Sequence, residues 1–436
     1  MTVYIWRKDR DLKFIKIGEL FAPLSALIAS LISDSILEIY THWESIMIQT
    51  LIILIFTATL SQIATDIYTP SIPAISVSLQ STLGQSQMTM ALYVTGLALT
   101  TLIYGPLSEI KGRRALIIFG TTLGLLGMIL CFFAKDILTL QLGRLLTGCG
   151  LGAATSLWRS LFRDHFNTDQ MAKYNGMVLN AFVFSIVFAP FVGGYLQHFF
   201  GWRSNFLFLS IWTSCILTAM LFTLKDAEHL SFNKTFSISD LLHTYQTLLK
   251  NPTFVSGTLT SFFANGALFS WLTVGSSILV HDLNMTELHY GATMAVMGLS
   301  LLVANGLNHQ LGKKISYKAR IKLGGGILLS MSLLMLGLCT YLPLHPWMII
   351  SPMFIILIGT TLIFMNSFIL GFSNIQQEAG VGAGLYSFFQ ILGAVITGTT
   401  ISHLNTHSPI PMAIMIAICG ALCIGIAWYT QRCKKI

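Results

Sequence analysis

Polar residues in this chain are bunched, and apolar ones run long between them. From residue 47 onward, apolar runs long enough for a helix to cross the hydrocarbon of a bilayer, about 20 residues, recur twelve times. They lie near 47–77, 87–108, 115–133, 138–161, 174–199, 204–224, 252–280, 290–311, 321–343, 347–373, 381–403 and 409–430. None of the chain shows the period-two alternation of a half-buried strand, so the runs are read as helices. Short turns separate them, with one long polar connection, 225–251, after the sixth. Within it, residues 239–249 have the pattern of a short amphipathic helix lying on a membrane surface.

One turn has an echo. Gly105-Pro106-Leu107-Ser108-Glu109-Ile110-Lys111-Gly112-Arg113-Arg114 lies between the second and third runs, and Asn305 to Lys314 lies in register with it about 200 positions on, with counterparts to Leu107, Gly112 and the two following cations. Weak internal similarity at that spacing is what two homologous helical halves leave behind. The expected architecture is all-α and polytopic: an extension at 1–46, six-helix bundles at 47–224 and 252–430, a linker at 225–251 and a tail at 431–436. Gly105 and Gly112 are both expected to help the chain turn.

Composition fits a membrane protein. Of 436 residues, 54% are hydrophobic and 10% charged, and mean hydropathy is +0.72, whereas a soluble chain carries roughly a quarter charged residues. The net charge of +8 does not point to nucleic acid, because the cations sit in short loops and termini rather than among stacking aromatics. Turns after the even-numbered runs, with the tail, hold Lys111, Arg113, Arg114, Arg163, Lys313, Lys314, Lys318, Arg320 and others, while the opposite turns hold only Lys135 and Arg203. That bias places both termini in the cytoplasm. The segment 1–46, with five cations before a moderately apolar stretch, reads as an interfacial helix; a thirteenth span, a leader, or an upstream extension before Met47 are the alternatives. Six of the seven cysteines fall in apolar runs and the seventh in the basic tail, so neither a disulfide framework nor a metal site is expected. His281, Asp282 and His289 cluster in a turn that reads as solvated.

An ionisable group inside hydrocarbon is costly and marks function by default. Of the 17 acids, one falls within a run: Asp66. Pro70 and Pro73 follow it and free the carbonyls of Asp66 and Thr69 from helical hydrogen bonding, a polar and irregular spot tolerated only inside protein or beside a cavity. Arg144 and Arg159 lie in the fourth run. At about 1.5 Å per residue, Asp66 and Arg144 reach the same depth and are expected to pair. The alternatives are a proton-exchanging carboxyl poised between desolvation and a nearby cation and an ion pair that only fixes packing. Gly148, Gly150 and Gly152, and the run Ala189-Pro190-Phe191-Val192-Gly193-Gly194, let helices approach closely. Asn265, Asn366 and Gln390 are candidate polar groups of a cavity, or plain interhelical hydrogen bonds.

These residues carry a resemblance. Gly105 to Arg114 resembles motif A of the major facilitator superfamily, with Glu109 where the family usually has Asp. Arg144 to Gly150 resembles motif B, and Ala189 to Gly194, followed by Gly201-Trp202-Arg203, resembles the antiporter motif C. With Asp66 to Pro73 and Arg163-Asp164, they are similar to the Bcr/CflA-type drug:proton antiporters over about residues 50–205. The resemblance implies a monomeric inner-membrane carrier without cofactor or catalysis, exporting amphipathic small molecules in exchange for protons by alternating access. It implies Asp66 as proton and substrate site, Arg144 as its partner, and Glu109, Arg113 and Arg114 as a cytoplasmic latch between bundles. A carrier of the same fold for a specific physiological substrate, such as a siderophore or metabolite, is the other reading.

Overall fold

The computed structural model describes residues 47–166, 168–224, 238–373, 379–404 and 408–432. The expectations for 1–46 and for the tail beyond 432 lie outside the described residues. Contacts divide the chain into two units, Met1–Ile52 and Ile53–Ile436. Of the first, residues 47–52 are described and are helical.

The second unit is built from helices, with no strand among the described residues. Helix α1 (53–66) is followed by a 3-10 turn, Thr69–Ser71, and α2, Ile72–Ser78. Then come α3 (Leu83–Lys111), α4 (Arg113–Phe132), α5 (Ile137–His165), α6 (Thr168–Phe200) and α7 (Arg203–Thr223). The short α8 (Ile238–Lys250) precedes α9 (Pro252–Ser276), α10 (Glu287–Gly312), α11 (Tyr317–Tyr341), α12 (Trp347–Phe372), α13 (Ala379–His403) and α14 (Ile410–Arg432). Eleven helical segments are long and apolar enough to cross a membrane. The 33-residue α6 carries a shorter apolar stretch, Phe184–Phe200.

Polar caps set where these helices start. Thr82 and Gln85 form a capping box on α3, and Asp136, Asn251, Thr286 and Ser316 accept from backbone N–H groups at the starts of α5, α9, α10 and α11. Each cap satisfies donors that the first turn of a helix leaves open. The turn after α3 corrects the sequence reading. Gly105 lies inside α3, which runs on through Pro106 to Lys111, and Gly112 alone makes the turn, at φ +86°. A proline removes one donor, here the one that would reach the carbonyl of Leu102, without ending a membrane helix whose neighbours hold it.

Two antiparallel seams join the six-helix bundles: α3 against α13, and α6 against α10. At the end away from the Lys and Arg clusters, a Cβ on Gly84 of α3 would lie 2.5 Å from the carbonyl oxygen of Ser402 in α13, and one on Gly194 of α6 2.5 Å from that of Glu287 in α10; the side chain of Gln87 also donates there to the hydroxyl of Ser277, just after α9, at 2.9 Å. At the basic end, α8 does more than lie on a surface. Its Leu248 is buried with Phe254, Leu385 and Tyr386, and Leu102 of α3 packs on that cluster.

Candidate functional site

The site starts with the break in the first span. Because Pro70 has no N–H, the carbonyl of Asp66 is taken instead by the Thr69 hydroxyl, at 2.8 Å. The turn is pinned further by Asn205 of α7, whose side-chain amide donates to Ser71 at 2.8 Å. Asp66 is 3% exposed. One carboxylate oxygen accepts from Gln62, one helical turn earlier, at 2.8 Å, and the other has no hydrogen-bond partner.

Arg144 does not meet it. Among the described residues no ion pair joins the two. The guanidinium is fully buried, lies 4.1 Å from the ring centroids of both Tyr68 and Tyr93, and donates to the carbonyl of Ala64 at 3.0 Å. Equal depth was legible in the sequence, but azimuth was not. Asp66 faces the cavity between the bundles, while Arg144 reaches the last turn of α1 through a wall of tyrosine. Stacking on two rings lets a desolvated guanidinium stay buried without a carboxylate.

The cavity holds about 280 Å³ and is lined by Gln62, Asp66 and Pro190 from the first bundle and by Asn265, Gln390, Thr360 and a largely apolar wall from the second. The Asn265 amide donates to the backbone carbonyl of Gln390 at 2.8 Å. Asn366 is not part of it: its amide donates to Asn308 and to the carbonyl of Leu362, both at 2.8 Å. Arg320 also donates to that Asn308 side chain, at 2.7 Å. The physical reason is depth, since Asn366 lies near the basic end of α12, beside the echo of motif A. Gln62, Trp271, Met294 and Met297 were missed as cavity groups. A glutamine at i−4 of a buried acid was the one available signal.

At the basic end, Arg113 forms an ion pair with Asp164 of α5 and donates to the carbonyl of Ser160 at 3.2 Å. Arg114 donates to the carbonyl of Leu221 in α7, at 3.0 Å. These three contacts lie inside the first bundle rather than between the bundles, where the resemblance implied a latch; the side chain of Glu109 lies outside the described residues. The cations follow Gly112 at the start of α4, which packs mainly on α5 and α7. Arg113→Ala should therefore loosen the first bundle itself. Its cost lies toward the lower end of the about 3–5 kcal/mol of a broken buried pair, and a fall in the thermal midpoint of the purified protein, reversed by Asp164→Ala in the same chain, checks this.

At the other end, α6 is continuous through Pro190. Gly193 packs on the carbonyl of Ile67 in the break, and Gly291 of α10 sits so close to Pro190 that a Cβ there would come within 2.7 Å of its carbonyl oxygen. The antiporter-like motif thus touches both the break and the second bundle.

The profile of the Major Facilitator Superfamily matches residues 54–398. A bicyclomycin resistance protein homolog of Haemophilus influenzae is 23% identical over 85% of this chain and 93% of its own. Multidrug resistance protein D of Escherichia coli is 26% identical over 47% of this chain and 51% of its own. The fold is similar to that of the E. coli xylose transporter XylE in a partially occluded inward-open conformation, with a TM-score of 0.67 at 13% identity, covering 88% of this chain and 98% of that one. With a profile that spans most of its length and a matching helical fold, the chain belongs to the major facilitator superfamily of membrane transporters.

Proposed function

We propose that this transporter exports amphipathic small molecules in exchange for protons, with Asp66 as the shared site. The observation that carries the reading is the environment of that carboxyl. It is buried at a break in the first span, lines the cavity between the bundles, and has a neutral amide as its hydrogen-bond partner and one oxygen unpartnered. A charge so placed costs several kcal/mol unless neutralised. A proton and the cationic head of an amphipath neutralise it equally well, and they exclude one another. The apolar wall takes the rest of the ligand.

The basic end is cytoplasmic in this reading, in an inner membrane, with the bundles at 47–224 and 252–430 and the linker at 225–251. The close approaches of Gly84 to Ser402 and of Gly194 to Glu287 at the periplasmic end support entry of ligand from the cytoplasm. The proton gradient is the energy source. Relatives named for bicyclomycin and multidrug resistance fit this substrate class.

The test is transport. Proteoliposomes with an acidic lumen and the basic end outward should accumulate tetraphenylphosphonium, and Asp66→Asn should abolish gradient-driven accumulation. Equal gradient-driven accumulation by Asp66→Asn would remove Asp66 from the coupling.

A further inference from the structure

Gly194 brings the backbone of α6 into close approach with the carbonyl of Glu287 in α10. His198 is one helical turn further along α6, on the same face, and its Nδ1 lies 3.8 Å from a carboxylate oxygen of Glu287. The pair therefore joins the two bundles across a seam that must part for the periplasmic end to open. Of the other ion pairs among the described residues, Arg113–Asp164 stays within the first bundle and His281–Asp282 joins neighbours in sequence. Helix ends favour both charges of the cross-bundle pair. Glu287 is in the first turn of α10, where a carboxylate is stabilised, and His198 is in the last turn of α6, where an imidazolium is. Their side chains are 43% exposed for His198 and 27% for Glu287, so water and its protons reach both, whereas Asp66 is buried.

We propose that His198 and Glu287 form a second proton site, an external latch that holds the periplasmic end shut when His198 is protonated and loosens it when the imidazole is neutral. This goes beyond the antiport reading, since the latch needs neither ligand nor Asp66. An imidazole ordinarily gains its charge near about pH 6.5. Protonation adds an attraction that exists only while α6 and α10 are together, so acid shifts the equilibrium toward the shut end and base releases it. α6 packs on α7, α10 and the Thr69–Ser71 turn, and the other titratable or charged groups at this end are occupied or neutral. Arg203 of α7 stacks on Trp202 and donates to the carbonyl of Ala134, His289 of α10 is hydrogen-bonded to Thr286, and His281 to Asp282. Tyr290 is a phenol, neutral across this range, and Asp66 on the broken span accepts from Gln62. In an antiporter, whose periplasmic side is the acidic one, the latch tightens as the gradient steepens and slows the cycle that lets protons in.

The experiment uses no ligand and no gradient. Ser277 is fully buried and accepts from Gln87 of α3 across the bundles at the same end, so Ser277→Cys reports opening by its reaction with a hydrophilic maleimide in detergent-purified protein. Modification is read at that residue by peptide mass spectrometry, with the native cysteines in place. The ratio of rates with and without His198→Gln cancels the pH dependence of the thiol itself. At about pH 5.5 the His198→Gln protein should react about threefold faster than its parent, the factor that a partly exposed ion pair gives, and at about pH 8 equally fast. Glu287→Gln should do the same, and the double variant no more than either. A ratio that does not change with pH leaves His198 a packing role only and overturns the inference, as does a Glu287→Gln protein that reacts like its parent in acid. Should Ser277→Cys not fold, Gln87→Cys, buried at the same contact, is the reporter. Proton release on adding tetraphenylphosphonium is recorded for wild type alongside. If it is present and the ratio is flat, only this inference falls; if it is absent, the antiport reading falls and the ratio still decides the latch.

Discussion

Arg144→Lys is expected to destabilise the protein by about 3–5 kcal/mol, the cost of leaving a buried charge without its partners. The guanidinium is flat and lies against Tyr68 and Tyr93 at 4.1 Å from each ring centroid, and it donates to Ala64 at the same time. Each cation–π contact is worth about 2 kcal/mol where both partners are desolvated, and a charged hydrogen bond about 1.5–3 kcal/mol. An ammonium is a compact, strongly hydrated charge that cannot lie flat between two rings while holding a carbonyl. The thermal midpoint of the purified variant should fall well below that of wild type, and transport should fall with it, because Arg144 sets the turn from which Asp66 projects. A lysine variant with wild-type stability would show that the stack contributes little.

Gly193→Ala should be nearly as damaging. Its Cβ would be driven into the carbonyl of Ile67, in the break itself, and a backbone carbonyl cannot turn aside as a side chain does. Overpacking of this kind costs about 1–3 kcal/mol and sometimes more. It also moves α6 away from the break, where the neighbouring Gly194 meets α10, so the effect on transport should exceed the effect on folding. Gly105→Ala is the control. A Cβ there meets nothing within 4 Å and the position is helical, so the change should be neutral or stabilise by about 0.5–1 kcal/mol. A thermal-midpoint series across the three proteins checks the order. If Gly105→Ala were the most harmful, the close approach at Gly193 would not be what the motif provides.

The helices were legible because membrane spans write themselves as length and hydropathy. All twelve runs reappear as helical segments; the largest shift is at the start of α6, which begins at Thr168 rather than near 174, and the Thr82 cap starts α3 at Leu83 rather than near 87. Asp66 was legible because a lone acid in an apolar run is conspicuous, and the break after it because proline removes a donor wherever it sits. What the sequence did not show was azimuth. Arg144 and Asp66 share a depth, yet the pairing expected from it is absent, since nothing in the spacing says which way a guanidinium turns when two tyrosines compete for it. Asn366 failed as a cavity residue for a related reason: an amide in an apolar run reads the same whether it faces ligand or Asn308. The pairing of His198 with Glu287 was invisible, because nothing in the sequence sets the last turn of α6 against the first turn of α10.

In the antiport reading, ligand and proton compete for one carboxyl. The most direct measurement is proton release from detergent-purified protein in weak buffer on adding tetraphenylphosphonium, for wild type and Asp66→Asn together. Release of up to one proton per bound cation from wild type, and none from Asp66→Asn, is the predicted result. Binding of the cation to wild type with no proton released across the accessible pH range, or equal release from both proteins, would contradict it.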